Sequence, residues 1–158
     1  IVTGLAVSAF SGALEGARAA SVRGELLSSL TQAVGRATVS GTRAVLCPST
    51  DGQVCSDGPD WSQGWLVFMD SNASRELEGG EKVLRQVGPL PGHVHLRSTE
   101  GRTRIVFQGN GGNGGSNVSF TICDGRGPSR AQGLVIANYG RLREAVPSAE
   151  NLAATCVR

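Results

Sequence analysis

No charged residue occurs in the first fourteen positions of the chain, and this absence restricts the architecture more than any other feature. If residues 1–14 form a helix, apolar side chains lie on nearly all of its sides, so it must be buried against other surfaces. The uncharged stretch is shorter than the roughly 20 residues that cross a bilayer. The chain also begins without Met or a basic leader segment. We therefore expect a stem that starts inside a longer apolar helix.

Aromatic residues are scarce as well, at 4% of the chain, whereas 23 of the 158 residues are Gly. This composition argues against an all-helical head and favours short strands joined by turns, with a core made mainly of Val, Leu and Ile. A chain of this length forms one domain that is large enough to bury its own core. Everything beyond the stem is expected to belong to a single head.

Motifs for catalysis, cofactors and metals are absent or incomplete. Gly109, Gly111 and Gly114 match G-x-G-x-x-G, but a predicted strand follows them where a dinucleotide site needs a helix. His93 and His95 alternate on a predicted strand without a third metal ligand at suitable spacing. No G-x-S-x-G elbow or Ser/His/acid set is visible. We expect no enzyme activity, no cofactor and no metal.

Four cysteines occur without a C-x-x-C pair and without a His pair at zinc-finger spacing, which argues against a zinc site. Disulfides in an oxidising compartment are the better interpretation. Of the three possible pairings we favour Cys47–Cys55, which closes a short loop, and Cys123–Cys156, which pins the C-terminal tail. Four buried thiols in a cytosolic protein are the alternative.

Charge is unevenly distributed although the net charge is only +2. Residues 50–82 contain seven acidic and two basic side chains, a balance of −5. Residues 97–143 contain seven arginines and two acidic side chains, a balance of +5. A basic face is one interpretation, and solvated strands with chance segregation of charge are the other.

Hydrophobic periodicity predicts that the stem helix continues to about Val39, with Leu26, Leu30 and Val34 on the face that a sheet buries. Gly41 is a plausible stop. Residues 1–40 are thus the stem and residues 41–158 a β-rich head, while residues 1–14 stay exposed in an isolated subunit. The predicted strands are Ala44–Cys47, Gly64–Met69, Lys82–Val87, His93–Leu96, Arg104–Phe107, Val118–Cys123, Gly133–Asn138 and a last one that starts within Gly140–Arg143.

Arg141 and Arg143 would project from the same side of that last strand, about 7 Å apart along the chain. This spacing suits successive phosphates of a nucleic-acid backbone. An exposed basic turn is the alternative.

Several segments, taken in order, resemble the GspH/FimT family of type IV pilin-like minor pilins and pseudopilins. The most specific is W-x-x-G-W-x-V-F-x-D at residues 61–70, and the ordered set covers nearly the whole chain. The other segments are Val7–Phe10, Val45–Cys47, Val83–Arg85, Ile105–Phe107, Phe120–Cys123 and Gly140–Arg143.

The resemblance implies an α+β, type IV pilin-like fold, with a long N-terminal helix packed on an antiparallel β-sheet head. It also implies that the subunit sits in the inner membrane with a periplasmic head before assembly into a pilus or pseudopilus. The stem would then pack against other major and minor pilin subunits through Val2, Leu5, Phe10 and Leu14. Ser8 stands where many pilins have a helix-kinking Pro.

Members of the family linked to natural transformation resemble DNA receptors and carry a Gly-Arg-x-Arg motif near the C-terminus. By this resemblance Gly140, Arg141 and Arg143 would contact double-stranded DNA. By charge alone, Arg126, Arg130 and Arg158 are candidate helpers. Other relatives are structural or initiating minor pilins, or H-type pseudopilins of type II secretion, and need no DNA contact. The sequence leaves type IV pilus and secretion pseudopilus open.

Overall fold

The stem is one long helix, α1, that spans Val2–Ser40. A computed structural model describes residues 2–114, 117–138 and 140–156, with the side chains of Val2, Thr3 and Leu5 left out. Leu26 and Leu30 are fully buried against the head and Val34 is half-buried, as the periodicity predicted. Gly41 ends the helix in the left-handed region, and its N–H donates to the carbonyl of Ala37 at 2.9 Å. The predicted end of the helix is confirmed.

Two antiparallel four-stranded sheets make up the head, with strand orders β3-β2-β1-β5 and β4-β6-β7-β8. The predicted fold class, a long N-terminal helix on antiparallel sheets, is confirmed. The strands are β1 (Arg43–Pro48), β2 (Trp65–Asp70), β3 (Val83–Val87), β4 (His95–Ser98), β5 (Ile105–Phe107), β6 (Val118–Cys123), β7 (Gln132–Ile136) and β8 (Leu142–Ala145).

The main core lies where α1 meets the inner faces of both sheets. Trp65 and Trp61 are fully buried there, and each indole N–H has a partner: Trp65 donates to Ser29 Oγ of α1, and Trp61 donates to Ser98 Oγ, both at 2.9 Å. A large ring can therefore be buried without leaving a polar atom unsatisfied. The tryptophan run that was specific in the sequence thus joins the helix to both sheets.

A second, smaller core lies on the outer face of the first sheet. Leu66 and Phe68 of β2 point into it, whereas Trp65 and Val67 point into the main core. β2 is therefore covered on both faces. The loops after β1 and β2 supply the cover, with Cys55 and Leu77 packed against this core.

Both disulfides favoured from the sequence are present, Cys47–Cys55 and Cys123–Cys156, with Cα–Cα distances of 5.6 and 5.4 Å. The first holds the loop after β1 against the second core. The second joins the end of β6 to the residue that follows a short helix.

That short helix, α2 (Ala149–Thr155), was not predicted from the sequence, nor was a 3₁₀ turn at Pro128–Arg130. The Oγ of Ser148 caps α2 by accepting a hydrogen bond from the N–H of Asn151 at 3.2 Å. α2 packs against β6 and β4. The largest shift of a predicted strand start is at β4, which begins at His95 rather than His93, whereas β8 begins at Leu142, within the predicted Gly140–Arg143.

Within the described ranges, α1 included, no helix is both long enough and apolar enough to cross a membrane.

Candidate filament stem and nucleic-acid interface

The first part of the stem stands clear of the head. Val7, Phe10 and Leu14 expose 70%, 72% and 41% of their surface, although all three are apolar. The exposure expected for residues 1–14 is confirmed for Ala6 to Ser11, Ala13 and Leu14. Ile1 and the side chains of Val2 and Leu5 lie outside the described residues. A row of exposed apolar side chains of this kind marks an interaction surface.

The exposed part of the helix ends at Glu15. No sequence pattern predicted a role for this residue. The Glu15 side chain is 12% exposed, and its carboxylate accepts hydrogen bonds from the backbone N–H of Gly125 at 3.1 Å and from Arg18 Nη1 at 2.8 Å. His93 Nδ1 lies 3.7 Å from the same carboxylate. Burial acts to raise the pKa of Glu15, but the bonds from Gly125 and Arg18 outweigh it and the pKa is lowered. Glu15 therefore fastens the stem to two loops of the head.

Arg126 reinforces this junction. Its guanidinium makes two hydrogen bonds to the buried carboxylate of Asp124, at 2.9 and 2.8 Å, and lies so close to Gly16 that a Cβ there would be 2.8 Å from Nη1. The hydrogen bonds from Arg126 hold the pKa of Asp124 below its usual value despite burial, and they raise the pKa of Arg126 itself. Arg126 is committed to Asp124 and to the stem, so its expected help in DNA contact finds no support in this arrangement.

Arg141 and Arg143 lie at the free edge of the second sheet. Among the strands that the structure describes, β8 pairs with β7 alone, with Val135 opposite Arg143. Leu142 packs on the main core, and Glu144 forms an ion pair with Arg23 of α1. Since neighbouring residues of a strand face opposite ways, Arg143 projects from the other side. Arg141 immediately precedes the strand, and its carbonyl accepts a hydrogen bond from the N–H of Ala137 at 2.8 Å. Both are exposed, and neither forms an ion pair with any residue that the structure describes.

Gly140, the first residue of the Gly-Arg-x-Arg motif, has a structural role. Its φ is 75°, and a Cβ at this position would lie 2.4 Å from the carbonyl oxygen of Gly111. Any other residue would be strained by both the backbone conformation and this contact. Gly140 thus lets the chain pass close to the Gly-rich loop, residues 109–114, before β8 begins.

The other two arginines that charge alone suggested as DNA contacts are Arg130 and Arg158. Arg130 is exposed at the end of the 3₁₀ turn that precedes β7, whereas Arg141 follows the far end of β7, so the two are at opposite ends of that strand. Arg158 falls outside the described residues. The structure therefore brings together Gly140, Arg141 and Arg143 but not the other three arginines.

The described residues give no support for a metal site. Within the described part of the chain, no group of three or more His, Cys, Asp or Glu side chains could hold an ion. His93 lies beside Glu15 in the stem junction and precedes β4.

A family model described as "Type II transport protein GspH" matches residues 7–140. The chain belongs to the GspH family. Subunits of this family are minor pilins or pseudopilins of type IV pili and type II secretion systems; they are structural proteins and not enzymes. The family resemblance expected from the sequence is confirmed. A search of curated protein sequences gave no match.

Solved structures show the same GspH-type fold. The type IV minor pilin FimU of Pseudomonas aeruginosa (strain PAO1) aligns with a TM-score of 0.61 and 18% identity, over 87% of this chain and 98% of FimU. The minor pseudopilin EpsH from the type 2 secretion system of Vibrio cholerae aligns with a TM-score of 0.57 and 13% identity, over 83% of this chain and 98% of EpsH. At these identities the likeness establishes the fold alone.

Proposed function

We propose that this GspH-family subunit is a minor pilin of a type IV pilus that binds double-stranded DNA for uptake in natural transformation. The observation that carries the proposal is the pair Arg141 and Arg143. They are exposed, lie at the start of an edge strand, and have no ion-pair partner among the described residues. Guanidinium groups in this state remain available for phosphate oxygens.

Phosphate contact through two arginines gives weak binding without sequence preference. Each neutralised phosphate releases counterions from DNA, so affinity falls steeply as salt rises. With so few contacts the dissociation constant belongs in the nonspecific range of about 10⁻⁴–10⁻⁶ M at physiological salt. Weak binding without sequence preference suits a subunit that takes up DNA of any sequence.

The stem supplies the second half of the proposal. Phe10 and Leu14 are exposed in the isolated subunit, and with Val2 and Leu5 they would be buried against other major and minor pilin subunits in the filament. Before assembly the subunit would be held in the inner membrane with its head in the periplasm. The two disulfides agree with an oxidising compartment.

A charge-matched comparison tests the DNA contact. Arg141→Ala with Arg143→Ala should weaken binding to a short duplex and flatten the dependence of log K on log salt by up to about 2. The control is Arg36→Ala with Lys82→Ala. This pair removes the same two charges on the β3 side of the molecule, where Gln32, one turn before Arg36, bonds to Leu84. Fluorescence anisotropy at several salt concentrations gives both quantities.

The alternative is a structural or initiating minor pilin, or an H-type pseudopilin of type II secretion. It is favoured by the family match, which includes subunits of both systems. If the wild-type chain does not bind DNA even at low salt, or the arginine pair behaves like its control, this alternative stands in place of the DNA receptor.

A further inference from the structure

Three other arginines gather beside the Gly-rich loop, whose residue Gly111 contacts Gly140. Arg75, Arg102 and Arg104 line a depression of about 50 Å³ together with the loop residues Asn113 and Gly114. Arg75 comes from the loop after β2, whereas Arg102 and Arg104 come from the turn between β4 and β5. Residues far apart in the sequence thus place three cations around one small depression.

Only one of these arginines is neutralised by carboxylates. Arg104 pairs with Glu76 at 2.7 Å and with Asp57 at 3.4 Å. Arg75 and Arg102 form no ion pair with any described residue, and Arg102 is half-buried. A guanidinium that has lost part of its water without gaining a counter-charge is a favourable partner for an anion.

The backbone at Arg75 is held in an uncommon conformation. Its φ is 66°, in the left-handed region that non-glycine residues seldom adopt. The buried carboxylate of Asp70 accepts hydrogen bonds from the N–H groups of Ser74 and Arg75, at 3.1 and 3.2 Å. Strained backbone that its surroundings hold in place is frequent where a side chain must be positioned for function.

The Gly-rich loop connects this depression to the Gly-Arg-x-Arg segment. The N–H of Asn113 donates to the carbonyl of Asn138 at 3.2 Å, and Gly111 lies directly against Gly140. Within the loop, Gln108 and Gly112 are joined by a backbone hydrogen bond of 2.8 Å. The loop is therefore a short, internally bonded bridge between the two arginine groups.

Strand pairing indicates how far the depression lies from the strand that carries Arg143. Val118, which lines the depression, is opposite Ile136, and Ile136 is opposite Leu142, the residue between Arg141 and Arg143. Two inter-strand spacings amount to about 10 Å. This distance exceeds the spacing expected between Arg141 and Arg143, so the two arginine groups would contact different phosphates of one duplex.

We propose that Arg75 and Arg102 form a second phosphate-contact point, so that one DNA duplex lies across the Gly-rich loop and touches both arginine groups. This rests on the proposed function, because it extends the same DNA interface beyond Arg141 and Arg143. The ligand chemistry is the sugar-phosphate backbone, without base recognition.

The test measures the affinity of the full chain for a duplex of about 20 base pairs between about 50 and 200 mM salt. Arg75→Ala with Arg102→Ala should weaken binding several-fold at low salt and flatten the salt slope by up to about 2. Arg36→Ala with Lys82→Ala serves again as the control of equal charge. Arg75→Lys with Arg102→Lys keeps both charges and should keep most of the affinity and slope.

The outcomes separate the two proposals. If Arg141→Ala with Arg143→Ala weakens binding but Arg75→Ala with Arg102→Ala matches the control, the second contact point is wrong and the DNA receptor remains. If the wild-type chain does not bind at the lowest salt, the proposed function itself fails. Circular dichroism checks that each variant is folded. Should the Ala pair unfold, Arg102→Ala alone replaces it, and an unchanged slope in that variant overturns the second contact.

Discussion

The two parts of the stem helix differ in charge and in what covers them: residues 1–14 carry no charged side chain, whereas residues 15–40 carry five. From Ala6 to Leu14 the described side chains point into solvent, whereas from Glu15 to Ser40 the head buries one full face. The helix itself does not break between them, since α1 runs without interruption from Val2 to Ser40. The boundary is set by contacts: a carboxylate and two head loops meet the helix at one turn. Folding free energy should therefore come from the second part, and assembly from the first.

The largest difference should appear between Leu30 and Phe10. Leu30 is 1% exposed in the main core, so Leu30→Ala leaves a cavity and should cost about 2–5 kcal/mol of unfolding free energy. Phe10→Ala removes a larger side chain from the exposed part and should change stability by less than about 0.5 kcal/mol. Denaturant titration measures both. A large loss in Phe10→Ala would mean that the first part also packs on the head.

Glu15→Gln examines the boundary between the two parts. Gln keeps the shape and part of the hydrogen bonding but removes the charge that Arg18 and Gly125 stabilise, so we expect a loss of about 1–2 kcal/mol at neutral pH. Hydrogen exchange of residues 6–14 should be unaffected, because the Glu15 carboxylate bonds to Arg18 and Gly125. Faster exchange in residues 16–24 would show that the helix loosens on the head side alone.

The same carboxylate predicts a pH dependence. The pKa of Glu15 is lower in the folded protein than in the unfolded chain, where it is about 4.3. The stabilisation that ionised Glu15 contributes is therefore complete above the unfolded pKa and is lost as pH falls through the folded pKa. The stability difference between wild type and Glu15→Gln should shrink on acidification below about pH 4.3. A difference that stays constant down to the acid transition would contradict this assignment; Asp124, present in both proteins, does not enter the comparison.

A smaller effect separates Gly12 from Gly16. No atom lies within 4 Å of a Cβ built at Gly12, so Gly12→Ala should be neutral or stabilising by up to about 1 kcal/mol through helix propensity. A Cβ at Gly16 would meet Arg126, which must then shift away from Asp124. Gly16→Ala should therefore stabilise the protein less than Gly12→Ala does. Thermal unfolding of both variants measures the difference, and identical midpoints would show that Arg126 moves at no cost.

Sequence reasoning located most elements because they repeat locally. Helical spacing found α1 up to Gly41, and alternation with turn residues located the strands to within a few residues. Side-chain alternation also predicts that Arg141 and Arg143 share one side of the last strand, although β8 itself begins only at Leu142. Patterns of this kind depend only on neighbours in the chain.

What the sequence did not reveal depends on distant or very local contacts. Glu15 meets Gly125, which is 110 residues away, and no periodicity reports such a pair. α2 has seven residues, too few for a helical pattern to stand out. Arg126 was placed among the candidate DNA contacts by charge alone, although Asp124, two residues before it, takes up its guanidinium. A count of charges cannot distinguish a free arginine from a paired one.

The Cys123–Cys156 bond has a mechanical consequence. β8 is an edge strand, and a tensile load applied to it would peel its backbone hydrogen bonds from β7 one after another. The peptide segment that contains β7 and β8 is closed by the bond between Cys123 and Cys156. A pull at Arg141 or Arg143 that detached β8 would reach β6 through this covalent link once the slack in the closed segment is taken up. The disulfide thus limits how far the edge can extend under traction.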